Sequence, residues 1–443
     1  MPSRQEFDRL HQTTAPGDHY GIEFPFSVAT LSEFGPDFLT RAFRASGAIA
    51  ADNAVTAITR LDPIEVPGAS ERALLGLAYL RSEPGLHTEL FAKFPVADAD
   101  HKFGLARMGD GEVAMQRLSR SVDLPVTVPK YYFGDHCART TNYILITERI
   151  PYGTPPVEPA WKKGYDHQLP DADAHYRVLA QAMARLVAAH RTGALGADIA
   201  AVFPPGGAAR DFHPIPDAEA RVDRLVDFIG RVAPQLFVAE ACDPAFLAAW
   251  RADLLFGLAH KDAVIAWLHA DPDYTGLCHP NLNVDNAWFW RDADGALQAG
   301  LLDWGGAGQM SIAQALSGMM MMPQPEAYRR QVDLVLETFI AELADRSGKQ
   351  LDPAELRLRF KASLYSTAIC TIVSILVDYL GAFPEAEWAA MADRFDPRLH
   401  DSGLIAAIVW IDNMLHEWLD ELTPGDACRQ VVAMASAPAA LAG

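Results

Sequence analysis

One stretch constrains this chain more than any other: Cys278 to Gly305, CHPNLNVDNAWFWRDADGALQAGLLDWG. His279, Asn281, Asp285 and Asn286 crowd onto one loop. Ala287 to Trp290 then reads as a short strand, Asp292 to Gly295 as a turn, and Gly300 to Leu302 as a second strand running into Asp303-Trp304-Gly305. β-branched, aromatic and aliphatic residues flanking an Asp/Gly turn are the composition of a hairpin. Two strands closed by such a turn hold the loop and Asp303 close together. Trp288, Phe289 and Trp290 are predicted to pack beneath the loop.

An Asn and an Asp delivered in this way are hard oxygen ligands, suited to Mg²⁺. Mg²⁺ keeps several waters and usually completes its shell with substrate phosphates, so the pair points to a nucleotide rather than to a closed metal cage. His269, Cys278 and His279 fit the spacing of no zinc finger.

The rest of the chain divides by pattern. The first forty or so residues have weak periodicity and read as an extension or an initial helix pair. Asn53 to Val66 reads as strand, turn at Asp62-Pro63, and strand; Leu74 to Leu80 as a short helix; and Thr88 to Val96, with Lys93 inside it, as a strand. A helix is predicted from Glu112 to Val122, with Ala114, Leu118 and Val122 as its apolar stripe. Lys130 to Phe133 and Tyr143 to Ile150 read as a hairpin. Pro151, Gly153, Pro155 and Pro156 punctuate the chain there.

Beyond that point helices dominate: Tyr176 to His190, Ala218 to Val232, Pro244 to Ala270, and from Ser311 onward, with an Ala-rich tail from Ala433 predicted to fray. The expected fold class is α+β and two-lobed, divided as 1–45 (N-terminal extension), 46–150 (small β-rich lobe) and 151–443 (larger helical lobe).

Composition closes off other classes. Hydrophobic residues make up 50% and charged residues 21% of 443, enough for a sizeable core and far from a disordered chain. With 37 Lys plus Arg against 57 Asp plus Glu, the net charge is -20, which argues against nucleic acid as a partner. The most apolar run, Leu364 to Val377, is interrupted by Ser and Thr and reads as a buried helix rather than a membrane span. The start is polar, with no apolar leader, and the five cysteines are scattered; reduced thiols in a cytoplasmic protein are expected. Oligomeric state is not encoded. Met319 to Met322 reads as core filling.

Over roughly residues 50 to 320 the sequence resembles the aminoglycoside phosphotransferase and choline kinase group, relatives of the protein kinases, which carry a loop H-G-D-x-x-x-x-N followed by a strand ending in D-W or a D-F-G-like run. The resemblance implies a kinase-like fold and an ATP- and Mg²⁺-dependent phosphotransferase acting on a small-molecule hydroxyl. His279 matches the family His, Asn286 the metal-binding Asn and Asp303 the second metal ligand. In family order, Lys93 would contact the α- and β-phosphates and Glu112 would be its ion-pair partner. Thr147-Glu148-Arg149 would form the hinge beside adenine, with ATP against Glu148 to Ile150. Phosphoryl transfer needs such clamps, metal and orientation more than covalent chemistry.

The sequence departs from that pattern in two places. Where the family has its catalytic Asp, this chain has Asn281, an amide that cannot accept the hydroxyl proton at neutral pH. Asp285, in the same loop, would serve as base or third metal ligand, while Asn281 orients the acceptor hydroxyl. The Gly-rich phosphate loop is also missing, Gly47 to Asn53 holding one glycine. The competing expectations are a pseudokinase acting as a nucleotide-binding or regulatory module, and a kinase-fold enzyme that moves the AMP part of ATP. An acidic chain suits a cationic acceptor.

Overall fold

The structure, a computed structural model, describes residues 2–64, 70–105, 108–196, 199–206 and 215–436. The chain forms two compact units: Met1–Val157 together with Gly300–Ala307, and Glu158–Ala299 together with Gly308–Gly443. The first is rich in strands and the second largely helical, so the chain is α+β, as its patterning predicts.

The first unit opens with helices α1 (Arg4–Leu10) and α2 (Val28–Ala45), the latter kinked where Gly35 takes φ 62 ahead of Pro36. Five antiparallel strands follow: β1 (Val55–Pro63), β2 (Ser70–Tyr79), β3 (Glu89–Pro95), β4 (Tyr131–Cys137) and β5 (Asn142–Glu148), in the order β1-β2-β3-β5-β4. Helices α3 (Ala99–Gly104) and α4 (Met108–Ser121) lie between β3 and β4 in sequence.

Strand periodicity sorts the side chains of the sheet. Leu75, Leu77, Leu90, Ala92, Phe94, Ile144 and Ile146 alternate along their strands and join Leu31, Phe38, Leu39 and Phe43 of α2 in one core. The N-terminal stretch is part of this core. Asp135, fully buried, accepts backbone N–H bonds from His19 (3.0 Å) and Tyr20 (2.8 Å). Gly17 fits against it because a Cβ there would stand 2.1 Å from Asp135 Oδ2.

Two local expectations fail in this unit. Leu74 to Leu80 is no helix but most of β2, paired on both sides, with β1 and β3. Its leucines and alanines carry helix propensity, and two ladders of long-range hydrogen bonds override it. Asp62-Pro63 does not turn the chain either. β1 runs through it, and Pro63, at the end of a sheet-edge strand, has no need of an N–H. Residues 65 and 66 of the expected second strand lie outside the described residues. The other strands and the helix near Glu112 form, although α4 starts earlier and buries Val113, Met115 and Leu118, with Ala114 and Val122 only half-buried.

The second unit is built on α5 (Ala172–Arg191), α6 (Ala218–Asp227), α7 (Pro244–Ala270), α8 (Ile312–Met319), α9 (Tyr328–Ser347), α10 (Pro353–Ser363), α11 (Ile405–Trp418) and α12 (Pro424–Ser436). Among these run β6 (Thr275–Cys278), β7 (Ala287–Arg291) and β9 (Gly308–Ser311), while β8 (Leu297–Leu301) passes into the first unit at Gly300. β6 pairs antiparallel with β9, Cys278 opposite Gly308. β7 and β8 form the predicted hairpin, its turn closed by Asp292 Oδ1 accepting from the N–H groups of Asp294 (3.0 Å) and Ala296 (2.9 Å).

The expected single helix at Leu364 to Val377 is broken. A turn follows Ser363, then Ala368–Thr371 is α-helical and Ile372–Leu376 is a π-helical turn. Ser363 and Ser366 turn their hydroxyls onto the carbonyls of Phe360 (2.7 Å) and Ser363 (2.8 Å), a local bonding that competes with a regular helix. Arg221 satisfies carbonyls at the π turn, donating to Val373 O and Ser374 O at 2.8 Å each. The run Pro353–Tyr379 is, among the described residues, the one long and apolar enough to cross a membrane, and 83% of its apolar 18-residue stretch is buried in the fold. Met319, Met320 and Met322 are buried, as expected of core filler, whereas Met321 is half-buried. The tail is helical to Ser436; 437–443 lies outside the described residues.

Candidate active site

Lys93 sits on β3 between Ala92 and Phe94, both of which face the α2 core, so its side chain leaves the sheet on the opposite face. There its ammonium is buried, 2.5 Å from Glu112 Oε2 and 2.8 Å from Asp303 Oδ1. Glu112 reaches it from the first turns of α4. That end of the helix packs close against the chain after Asp303. A Cβ on Gly111 would lie 3.2 Å from Ala307 O, and Gly306 turns at φ 76. Asp303 itself takes the left-handed region at φ 55, an uncommon conformation for a residue with a side chain. The segment bearing it is tied to the stretch Leu124–Pro129, Leu301 N–H donating to Thr127 O at 2.8 Å. Lys93, Glu112 and Asp303, three residues far apart in sequence, thus meet within the first unit.

Arg72 stands opposite Lys93 on β2, so the cluster sits among charges of both signs. Burial pushes the Glu112 carboxyl up to about 7; Lys93 opposes this and Asp303 adds to it. Burial alone would lower the Lys93 ammonium, but Glu112 and then Asp303 more than offset it, so it stays charged. Tyr143, on the same face, is driven up by burial and stays neutral.

The loop 279–286 belongs to the second unit and springs from the end of β6. His279 is fully buried, and its Nδ1 accepts the Asn281 N–H at 3.2 Å, so its role here is to brace the loop. Asn286 Nδ2 donates to Asn281 O at 2.7 Å, which fixes the orientation of the amide. Lys163 Nζ lies 3.8 Å from Asp285 Oδ2. Behind them, burial pushes the Asp166 carboxyl up to about 7 although the Tyr176 hydroxyl donates to it.

Sequence reasoning passed over Asn283, which is fully buried and determines how Asn281 is held. Its amide nitrogen is satisfied by Gly318 O (3.2 Å) and Met319 O (3.1 Å), so its oxygen faces the Asn281 side chain, which must offer its own N–H in return. The signal was there in Asn281-Leu-Asn283: alternate positions of an extended loop point the same way. Gly318 is what lets the loop sit on α8, since a Cβ there would stand 1.9 Å from Pro280 O.

Glu148 ends β5 with its Oε1 accepting the Lys130 N–H at 2.8 Å; its side chain caps the strand end, and Ile150 lies two residues beyond. Gly47 to Asn53 joins α2 to β1, while residues 65–69, between β1 and β2, lie outside the described residues. Asn286 belongs to the second unit and Asp303 to the first.

Solved structures similar to this chain include a choline/ethanolamine kinase family protein from Mesorhizobium loti, at 12% identity, covering 89% of this chain and 98% of that one with a TM-score of 0.40. An aminoglycoside phosphotransferase from Streptomyces rimosus is similar at 19% identity, covering 75% and 97%, TM-score 0.35. A spectinomycin phosphotransferase solved with ADP and spectinomycin is similar at 11% identity, covering 85% and 94%, TM-score 0.41. No protein-family model matches the chain, and no curated protein matches it. At these identities and scores the function is argued from this chain's own residues.

Proposed function

We propose that the chain is an ATP- and Mg²⁺-dependent phosphotransferase acting on a small-molecule hydroxyl. One observation carries the reading: a lysine on the middle strand of the sheet, buried and paired with a helix glutamate at 2.5 Å, with the aspartate of an Asp-Trp-Gly run at 2.8 Å. A buried ammonium is costly unless paired, here by Glu112 and Asp303, and a fixed positive charge beside a carboxylate suited to metal is what a triphosphate needs.

The donor types suit a hard cation, since Asn286 and Asp303 each carry a side-chain oxygen. Mg²⁺ bound there would neutralise phosphate charge. Lys93 clamps the phosphates, Glu112 holds Lys93 in place, and the backbone from Glu148 to Ile150 receives the base. Asn281 orients the acceptor hydroxyl, with its backbone fixed by His279 and its amide by Asn283, and Asp285 is the carboxylate at hand for the proton. The net charge of -20 favours a cationic acceptor.

The test is thermal unfolding with ATP and Mg²⁺. A ligand at about 100 times its dissociation constant stabilises by about 2.7 kcal/mol. Stabilisation that disappears in Lys93→Met, with ADP formed when an acceptor is present, is the expected result. No stabilisation at millimolar ATP would sink the reading. The engagement of Asn281 by Asn283 favours one alternative, a nucleotide-binding module without turnover. That alternative gains if ATP stabilises the chain but neither wild type nor Asn281→Asp forms ADP with any acceptor.

A further inference from the structure

The N-terminal segment that carries α1 is fastened to the rest of the first unit through a seam of basic groups. Lys102, on α3, is buried; it donates to His11 O at 2.7 Å and to Asn142 Oδ1, and its ammonium stands 5.4 Å from the centre of the Phe26 ring. Asn142, the first residue of β5, is buried too and donates to Thr13 O at 2.9 Å. The carbonyls of residues 11 and 13 are thus held by two side chains from elsewhere in the unit. His11 itself is buried, its ring stacked on Phe7 at 4.7 Å and 14°, and Phe7 meets Phe103 of α3 edge-on at 5.1 Å. From Gly17 onward the chain has a separate anchor in Asp135.

The charges facing His11 come from two helices. α3 contributes the Lys102 ammonium, which among the described residues pairs with no carboxylate. It also contributes Asp100, and α1 contributes Arg4 and Asp8, but Arg4 engages both acids, at 2.7 Å each. β5 offers the neutral Asn142. A proton on the His11 ring would therefore set a second cation beside Lys102, with both nearby carboxylates already spent, and a buried charge without a partner is costly. Burial, and after it Lys102, lower the His11 imidazole below its ordinary value, while Asp8 opposes them. Burial also lowers the Lys102 ammonium, to about 8, so Lys102 is charged at the lower pH where a histidine takes its proton.

We infer that this seam is an acid-sensitive latch: protonation of His11 releases residues 3–14 from the first unit, while Asp135 keeps its hold on the chain beyond Gly17. In the released segment the ring lies in water and takes its proton at the ordinary value; in the latched one it resists, so stability of the latch is lost as pH falls through the ordinary imidazole range. At neutral pH the ring is uncharged and stays on Phe7. α3 lies in the chain between β3, which carries Lys93, and α4, which carries Glu112, so the latch acts on the connection between the two partners of the buried pair. The latch needs no nucleotide and is independent of the phosphotransferase reading.

The test is amide hydrogen exchange of the full chain, followed by mass spectrometry and expressed as protection factors at about pH 7.5 and about pH 5.5. One pH unit below the ordinary imidazole value, a proton taken only by the released segment favours release about tenfold. Protection over residues 4–14 is expected to fall by about that factor in the wild type, while α2 keeps its own. His11→Phe preserves the stack on Phe7 and cannot be protonated; it is expected to stay protected at both pH values. Equal protection at both pH values in the wild type overturns the inference, and so does a loss in His11→Phe as large as that of the wild type. Should His11→Phe already be loose at about pH 7.5, the wild-type His11 ring decides by NMR. A ring that takes its proton while residues 4–14 stay protected overturns the latch, and one that takes it only as they open supports it.

Discussion

Replacing Lys93 by methionine keeps the apolar stem on its strand and removes the charge that Glu112 faces. In the wild type the folded-state pKa of Glu112 is about 7 against an ordinary 4.5. A carboxyl raised by folding binds its proton more tightly when folded, so the wild type loses stability as pH climbs from the ordinary value to about 7 and then levels off. Lys93 is the cation that holds Glu112 down to that value. Without it the folded-state pKa moves above 7, and the variant goes on losing stability where the wild type is flat, at about 1.4 kcal/mol per pH unit.

From about pH 7 to about pH 9 that slope adds about 2.7 kcal/mol to the cost of the substitution. The total then enters the range of about 3 to 5 kcal/mol expected for removing one partner of a buried pair. Below about pH 6 Glu112 is protonated in the folded state of both proteins, and the cost shrinks to the order of 1 kcal/mol. Urea unfolding followed by circular dichroism at about pH 6 and about pH 9 measures the difference. A cost that is the same at both would mean that Lys93 does not neutralise a buried Glu112, and the account of the cluster would be wrong.

Other outcomes follow from the same structure. Asp166→Asn removes a carboxyl whose folded-state pKa is about 7. It should gain on the wild type across the window from about pH 4 to about pH 7, by roughly 2 to 4 kcal/mol at about pH 8, and show no advantage in acid. Calorimetry at the two extremes decides, and an equal gain at both would mean that Asp166 is not titrating as a buried acid. Gly318→Ala drives a Cβ into Pro280 O and should cost about 1 to 3 kcal/mol, with ATP-dependent stabilisation reduced because the loop 279–286 is lifted; thermal melts with and without nucleotide read both effects. Asp135→Ala strands the His19 and Tyr20 N–H groups in the interior. Limited proteolysis should then cut ahead of Phe24 in the variant while the wild type resists, and equal resistance would count against the staple.

The sequence made legible what rests on local periodicity and on residue chemistry. Lys93 amid strand residues, Glu112 near a helix start and the Asp-Trp-Gly run after a hairpin were each readable from their neighbours, and the distances among them give those readings a physical form. Leu74 to Leu80 was not readable, because its fate is decided by β1 and β3, which lie elsewhere in the chain. Asn283 was overlooked since its worth depends on two carbonyls on α8, brought near only by the fold. The break after Ser363 arises from hydroxyls that periodicity treats as silent.

The first unit recruits Gly300–Ala307 from far along the chain, and this bears on how the protein is made. On the ribosome, residues 1–157 emerge long before the strip that carries Asp303 and meets Thr127. Until then Lys93 lacks Asp303, and the five-stranded sheet, whose strands all lie within 55–148, stands without that strip while the whole stretch 158–299 is threaded out. A fragment cut at the prolines would repeat that wait permanently.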